Sequence, residues 1–96
     1  MIKKLIINAD DFGMCEGNSL GILLAHEQGI VSSTTVMMNM PYASWALDKA
    51  KAYPNLGIGV HLTLTAGKPL LSGKKSYTDE AGNFLRPSAY EDGFPD

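Results

Sequence analysis

Apolar and polar positions fall into blocks along residues 1–65, and the blocks carry two different periods. "KLIINAD" places Leu5, Ile6 and Ile7 in succession between charged residues, which predicts a short buried strand over Lys4–Ala9. From Cys15 to Gln28, Leu20, Leu23 and Leu24 recur at helical spacing as an apolar stripe, and Gly29 stands where a left-handed C-cap belongs, so a helix is predicted there. "STTVMMN" from Ser33 is dense in β-branched residues and predicts a second strand, closed by Met40-Pro41. "YASWALDKAKAY" has helix-favouring composition and predicts a helix over Tyr42–Tyr53, ended by Pro54. "LGIGVHLTL", Leu56–Leu64, predicts a third strand whose two glycines suggest close approach of a neighbouring backbone.

The order is β-α-β-α-β, which implies parallel pairing through right-handed crossovers and hence an α/β fold. Residues 66–96 change character: Gly, Pro, Ser, Lys and Tyr dominate without a sustained period. This reads as a long excursion in which "KSYT" and "NFLR" pair as a small hairpin across "DEAG". A three-stranded parallel sheet normally needs cover on both faces. The ending "YEDGFPD" offers neither a helix stop nor a closing strand, so the chain reads as the front part of something larger.

With 96 residues the chain is one domain at most. Its net charge of −2 gives no electrostatic reason to expect nucleic acid or an anionic membrane as partner. Cys15 is the only cysteine, which excludes an intramolecular disulfide and fits a reducing compartment. The apolar run Leu5–Ile7 is too short for a signal-peptide core or a membrane span, so a cytoplasmic location is expected.

The candidate chemistry lies at the strand ends, where parallel α/β sheets and barrels place their ligands. Asp10 and Asp11 fall at the end of the first strand, Asn39 at the end of the second, and His61 with Thr63 and Thr65 at the end of the third. Two adjacent carboxylates stay ionised in a cleft only with positive charge beside them. A divalent metal meets that need: Asp and His suit a hydrolytic site with an open position for water, and the second aspartate is left as a proton acceptor. Asp10-Asp11 is also what a loop start or a helix N-cap favours. A lone histidine is more often hydrogen-bonded structure than a ligand, and the rim shared with two carboxylates is what singles out His61. Asn39 suits either substrate orientation or turn closure. Cys15, near a helix start, reads as a small buried residue before it reads as a nucleophile. His26 is expected at the surface, and Met37, Met38 and Met40 in core and pocket wall. Asp-Phe-Gly also occurs in protein kinases, but their glycine-rich loop and strand lysine are missing, and "DDFGMCEG" lacks Rossmann glycine spacing.

"NADDFG", "SSTTVMMNMP" and "GIGVHLTLTAGKPL", in this order and at these separations, resemble the YdjC family of carbohydrate deacetylases, which includes chitooligosaccharide deacetylases. The resemblance implies that residues 1–96 are the N-terminal part of a single β/α-barrel-like catalytic domain, with 1–65 as its βαβαβ core. It implies removal of an N-acetyl group from small chitin-derived oligosaccharides with a divalent metal, Mg2+ in the first place and Zn2+ or another divalent ion otherwise. Asp11 and His61 would be metal ligands, Asp10 the general base taking a proton from the attacking water, and Asn39, Thr63 and Thr65 substrate contacts. A homo-oligomer is compatible with it. The family's barrel is longer than this chain, and its further histidine ligand is not matched here. No general acid for the departing amine stands out either. The alternatives are a non-catalytic sugar- or metal-binding remnant that works only in an assembly, and another metal hydrolase such as a phosphoesterase. Arg86 as the sole arginine argues mildly against phosphoryl chemistry.

Overall fold

The computed structural model describes residues 1–73 and 75–93. Its order is β1 (Asn8–Phe12), α1 (Glu16–Gln28), β2 (Ser33–Val36), α2 (Ala43–Ala50), β3 (Gly57–Val60) and a 3-10 turn, Pro87–Tyr90. The sheet runs β1-β2-β3 with both pairings parallel, as the β-α-β-α-β pattern requires. The chain divides into two compact units, Met1–His61 and Leu62–Asp96.

In the first unit, register sorts the strand residues onto two faces. Phe12 and Val36 face the helices and join Ile22, Leu23, Ala43, Ala46, Ala50 and Leu56 in one core. Thr34 is buried on the same side, its hydroxyl satisfied by the Ala9 carbonyl at 2.6 Å. The other face carries Asn8, Asp10, Ser33 and Thr35, whose side chains bond one another. Small alanines on α2 let that helix sit close to the sheet. Gly13 shows how close: its φ is +90°, and a Cβ there would lie 2.7 Å from Ala43 Cα.

Several expected boundaries move. β1 begins at Asn8 rather than Lys4, and Leu5 and Ile6 are 79% and 76% exposed instead of buried. The cause is pairing: β2 meets β1 only from Ile7 onward, where the Ile7 carbonyl accepts from Ser32 and Ser33. Asp10 and Asp11 therefore lie inside the strand, which Phe12 closes. β2 stops at Val36, because the chain turns with Met40 N–H donating to the Met37 carbonyl. Met37 is buried and Met38 exposed. α2 ends at Ala50 and gives way to tight turns through Tyr53. β3 ends at Val60, one residue before the last bond to β2, from His61 N–H to the Val36 carbonyl. The β3 glycines do not mark a close backbone approach, since a Cβ on either would meet nothing nearer than 3.6 Å.

The apolar stripe assigned to α1 is also corrected. Ser19, Ile22 and Leu23 face the core, while Leu20 and Leu24 are 44% and 52% exposed. His26 continues the buried face and is half-buried rather than superficial. Its Nδ1 lies 2.7 Å from the Val31 carbonyl, with its ring edge-on to Tyr53. Gly29 is not left-handed (φ −129°). Glycine is required there because a Cβ would come within 2.6 Å of the Ala25 carbonyl oxygen.

In the second unit the expected hairpin is reduced, among the described residues, to one antiparallel bridge, Thr78 to Phe84, flanked by Asp79 N–H to Asn83 O and Leu85 N–H to Tyr77 O. Tyr77 and Phe84 stack at 5.8 Å across it. The end of "YEDGFPD", residues 94–96, lies outside the described residues. Among the described residues no helix is long and apolar enough to cross a membrane.

Candidate active site

The two aspartates occupy an irregularity of β1. Ala9 pairs with Thr34 and Phe12 with Val36, so Asp10 and Asp11 together oppose the single residue Thr35. That is a bulge, and a bulge breaks the rule that neighbouring strand residues point to opposite faces. Asp11 takes a left-handed backbone, φ +71°, and among the described residues it is the only non-glycine with positive φ. Such a conformation costs on the order of 1 kcal/mol and persists only where the surroundings impose it.

Here α1 imposes it. The Asp11 carbonyl accepts from Met14 N–H (3.2 Å) and from the Asn18 side-chain amide (2.9 Å). Two residues on, Gly13 N–H donates to the fully buried Ser19 hydroxyl at 2.9 Å. Phe12 and Gly13 carbonyls accept from Met37 and Tyr42 N–H, tying the same loop to the ends of β2 and the start of α2. Cys15 is part of this frame, exposed rather than buried, and caps α1 with its Sγ accepting from Asn18 N–H at 3.4 Å.

The result brings two of the expected residues, Asp11 and His61, into contact and places a third, Asp10, on the same face of the sheet. His61, the next position after β3, follows Gly57 and Gly59 in the alternation and so belongs to the polar face. Its Nε2 lies 3.2 Å from Asp11 Oδ1, with both side chains partly exposed. Asp10, on the same face, accepts at Oδ1 from Asn8 Nδ2 (2.7 Å) and Thr35 Oγ1 (2.8 Å). Asn39 is half-buried in the turn after β2. Thr63 and Thr65 belong to the second unit, and Thr63 lies outside the third strand, which ends at Val60 and not at Leu64.

The donor set fits part of a metal's coordination sphere. Ligands about 2.1 Å from one ion at tetrahedral or octahedral angles lie roughly 3.0–3.4 Å apart, the spacing that Asp11 Oδ1 and His61 Nε2 have. Among the described residues no group of three or more His, Cys, Asp or Glu converges in this way. Sequence reasoning missed Asn8, Ser33, Thr35, Asn18 and Ser19. β2 is polar at Ser33, Thr34 and Thr35 in succession, so residue type alone does not say which of its hydroxyls face Asn8 and Asp10.

The family model for YdjC-like protein matches residues 4–94. The chain is similar to proteins named carbohydrate deacetylase from Thermoanaerobacter pseudethanolicus, 48% identical over 98% of this chain, and Brevibacillus brevis, 49% identical over 86% of it. It spans 36% and 34% of their respective lengths. A crystal structure from Enterococcus faecalis V583, of a protein named for cellobiose-phosphate cleavage, superposes on 97% of this chain with a TM-score of 0.89 and 46% identity, this chain covering 38% of that one. With 48% identity to a carbohydrate deacetylase and a family match running almost from end to end, the chain belongs to the YdjC-like protein family.

Proposed function

We propose that this chain carries part of the active site of a metal-dependent carbohydrate deacetylase that hydrolyses the N-acetyl group of small, chitin-derived N-acetylated oligosaccharides. The reading rests on one observation above all: Asp11 Oδ1 and His61 Nε2 meet at 3.2 Å beside a second carboxylate, in a chain whose relatives are named carbohydrate deacetylase. Asp11 and His61 would hold the divalent ion, Mg2+ by preference and Zn2+ as the alternative, because mixed oxygen and nitrogen donors suit both. Such an ion supplies Lewis-acid polarisation of the amide carbonyl and an acidified water.

Asp10 acts as general base and removes the proton of the attacking water. Its Oδ1 is engaged by Asn8 and Thr35, which leaves Oδ2 to accept that proton. No covalent enzyme intermediate is needed. Asn39, Thr63 and Thr65 are assigned to the sugar, and the protein works in the cytoplasm within a β/α-barrel. The direct test is acetate release from a chitooligosaccharide by the protein in the length its gene encodes, after chelation and again after adding Mg2+ or Zn2+. Acetate appearing only with metal is expected, and no acetate under either condition overturns the reading.

The name of the Enterococcus relative favours a second reading, cleavage of a phosphorylated disaccharide by the same groups. Sugar-phosphate or phosphate products from cellobiose phosphate, together with no acetate from the chitooligosaccharide, would replace the first reading by the second.

A further inference from the structure

We infer that Thr35 and Asn8, with Ser33 behind them, are positioning residues that fix the orientation of the Asp10 carboxylate and so the direction in which its free oxygen faces the reaction; the inference rests on the reading of Asp10 as general base. The four side chains form one line across β1 and β2. Ser33 Oγ donates to Asn8 Oδ1 (2.8 Å), Asn8 Nδ2 donates to Asp10 Oδ1 (2.7 Å), and Thr35 Oγ1 donates to the same Asp10 Oδ1 (2.8 Å). Ser33 thereby settles the orientation of the Asn8 amide. An acceptor on one end of that amide turns its NH2 end toward Asp10.

Two charge-assisted donors on one carboxylate oxygen have a geometric consequence. A half-turn of the carboxylate only exchanges two equivalent oxygens, whereas any smaller rotation strains or breaks both bonds, so the carboxylate plane is held with one oxygen committed and the other presented. Asp10 needs this restraint more than a buried aspartate would, because its residue is exposed and packing does not lock its rotamer. The bulge supplies the means, since it puts Thr35 opposite both aspartates. Stability alone gives the network little purpose. Asn8 and Asp10 are exposed and Ser33 and Thr35 only half-buried, and water competes for such bonds. A general base must hold its accepting oxygen within hydrogen-bond reach of the water, and loss of that alignment lowers turnover rather than substrate affinity.

The test compares Thr35→Val, which keeps the shape and removes the donor, with Thr35→Ser, which restores it, in the protein in the length its gene encodes. Asp10→Asn serves as reference. In Thr35→Val, kcat for acetate release should fall about tenfold or more with KM changed by less than about twofold, and Thr35→Ser should recover most of the loss. A crystal structure of Thr35→Val should show the Asp10 carboxylate rotated or split between rotamers. Unchanged kcat in Thr35→Val, or an Asp10 carboxylate that has not moved, overturns the inference while an inactive Asp10→Asn leaves the base assignment standing. Acetate release retained in Asp10→Asn overturns the base assignment and the inference with it.

Discussion

Asp11 holds a left-handed backbone that asparagine adopts more readily than aspartate, so at this position the requirements of fold and chemistry pull apart. Asp11→Asn should leave the unfolding midpoint unchanged or raise it, while the affinity for a divalent ion falls because a carboxylate becomes a neutral amide. A thermal melt paired with a metal titration reads both, and an unchanged affinity would remove Asp11 from the ligand set. Ser19 is the structural counterpart. Its hydroxyl is the acceptor for the Gly13 N–H in a fully buried position. Ser19→Ala should cost about 1–3 kcal/mol in a denaturant titration, the penalty of a buried donor left without its partner. The two aspartates and His61 were legible in the sequence as polar residues closing strands. Ser19 was not, because a serine inside a helical stretch looks like a surface residue until the loop that needs its oxygen is in place. Thr35 was hidden in the same way, since β-branched residues in "SSTT" announce a strand and say nothing of which carboxylate their hydroxyls meet.

At the scale of elements, α1 shows how apolar periodicity can point to the wrong face. Leu20 and Leu24 make the more obvious stripe, yet the buried side runs Ser19, Ile22, Leu23 and His26. That side contains two polar residues, and both are satisfied internally, Ser19 by the Gly13 N–H and His26 by the Val31 carbonyl. Polar groups with partners are compatible with burial, so a stripe drawn from apolar residues alone is displaced. Leu23→Ala should therefore destabilise the protein by roughly 2–4 kcal/mol, and Leu24→Ala by less than about 1 kcal/mol. Equal losses in a denaturant titration would contradict this facing. The strand ends were misplaced for a related reason: pairing length depends on where the neighbouring strand starts, and the bulge at Asp10 and Asp11 has no signature in residue type.

For the molecule as a whole, the alternation of strands and helices and the change of character after β3 were both visible in composition and period, because parallel crossovers leave few alternatives. What the sequence could not convey is that Asp11, in one outer strand of a three-stranded sheet, and His61, directly after the other, meet across the end of the middle one. An ion held by both would join β1 to β3 across β2, so metal binding should be linked to the stability of the sheet and not to one loop. Binding to the folded state alone adds about 2.7 kcal/mol when the free ion reaches 100 times its dissociation constant. The unfolding midpoint of the protein should therefore climb with Mg2+ or Zn2+ concentration, and His61→Ala should flatten that dependence while Thr35→Val preserves it. The contrast separates two sets of residues on the polar face, the pair proposed to hold an ion and the side chains that hold Asp10. An equal rise in His61→Ala would mean that the ion binds elsewhere and that the 3.2 Å contact is only structural.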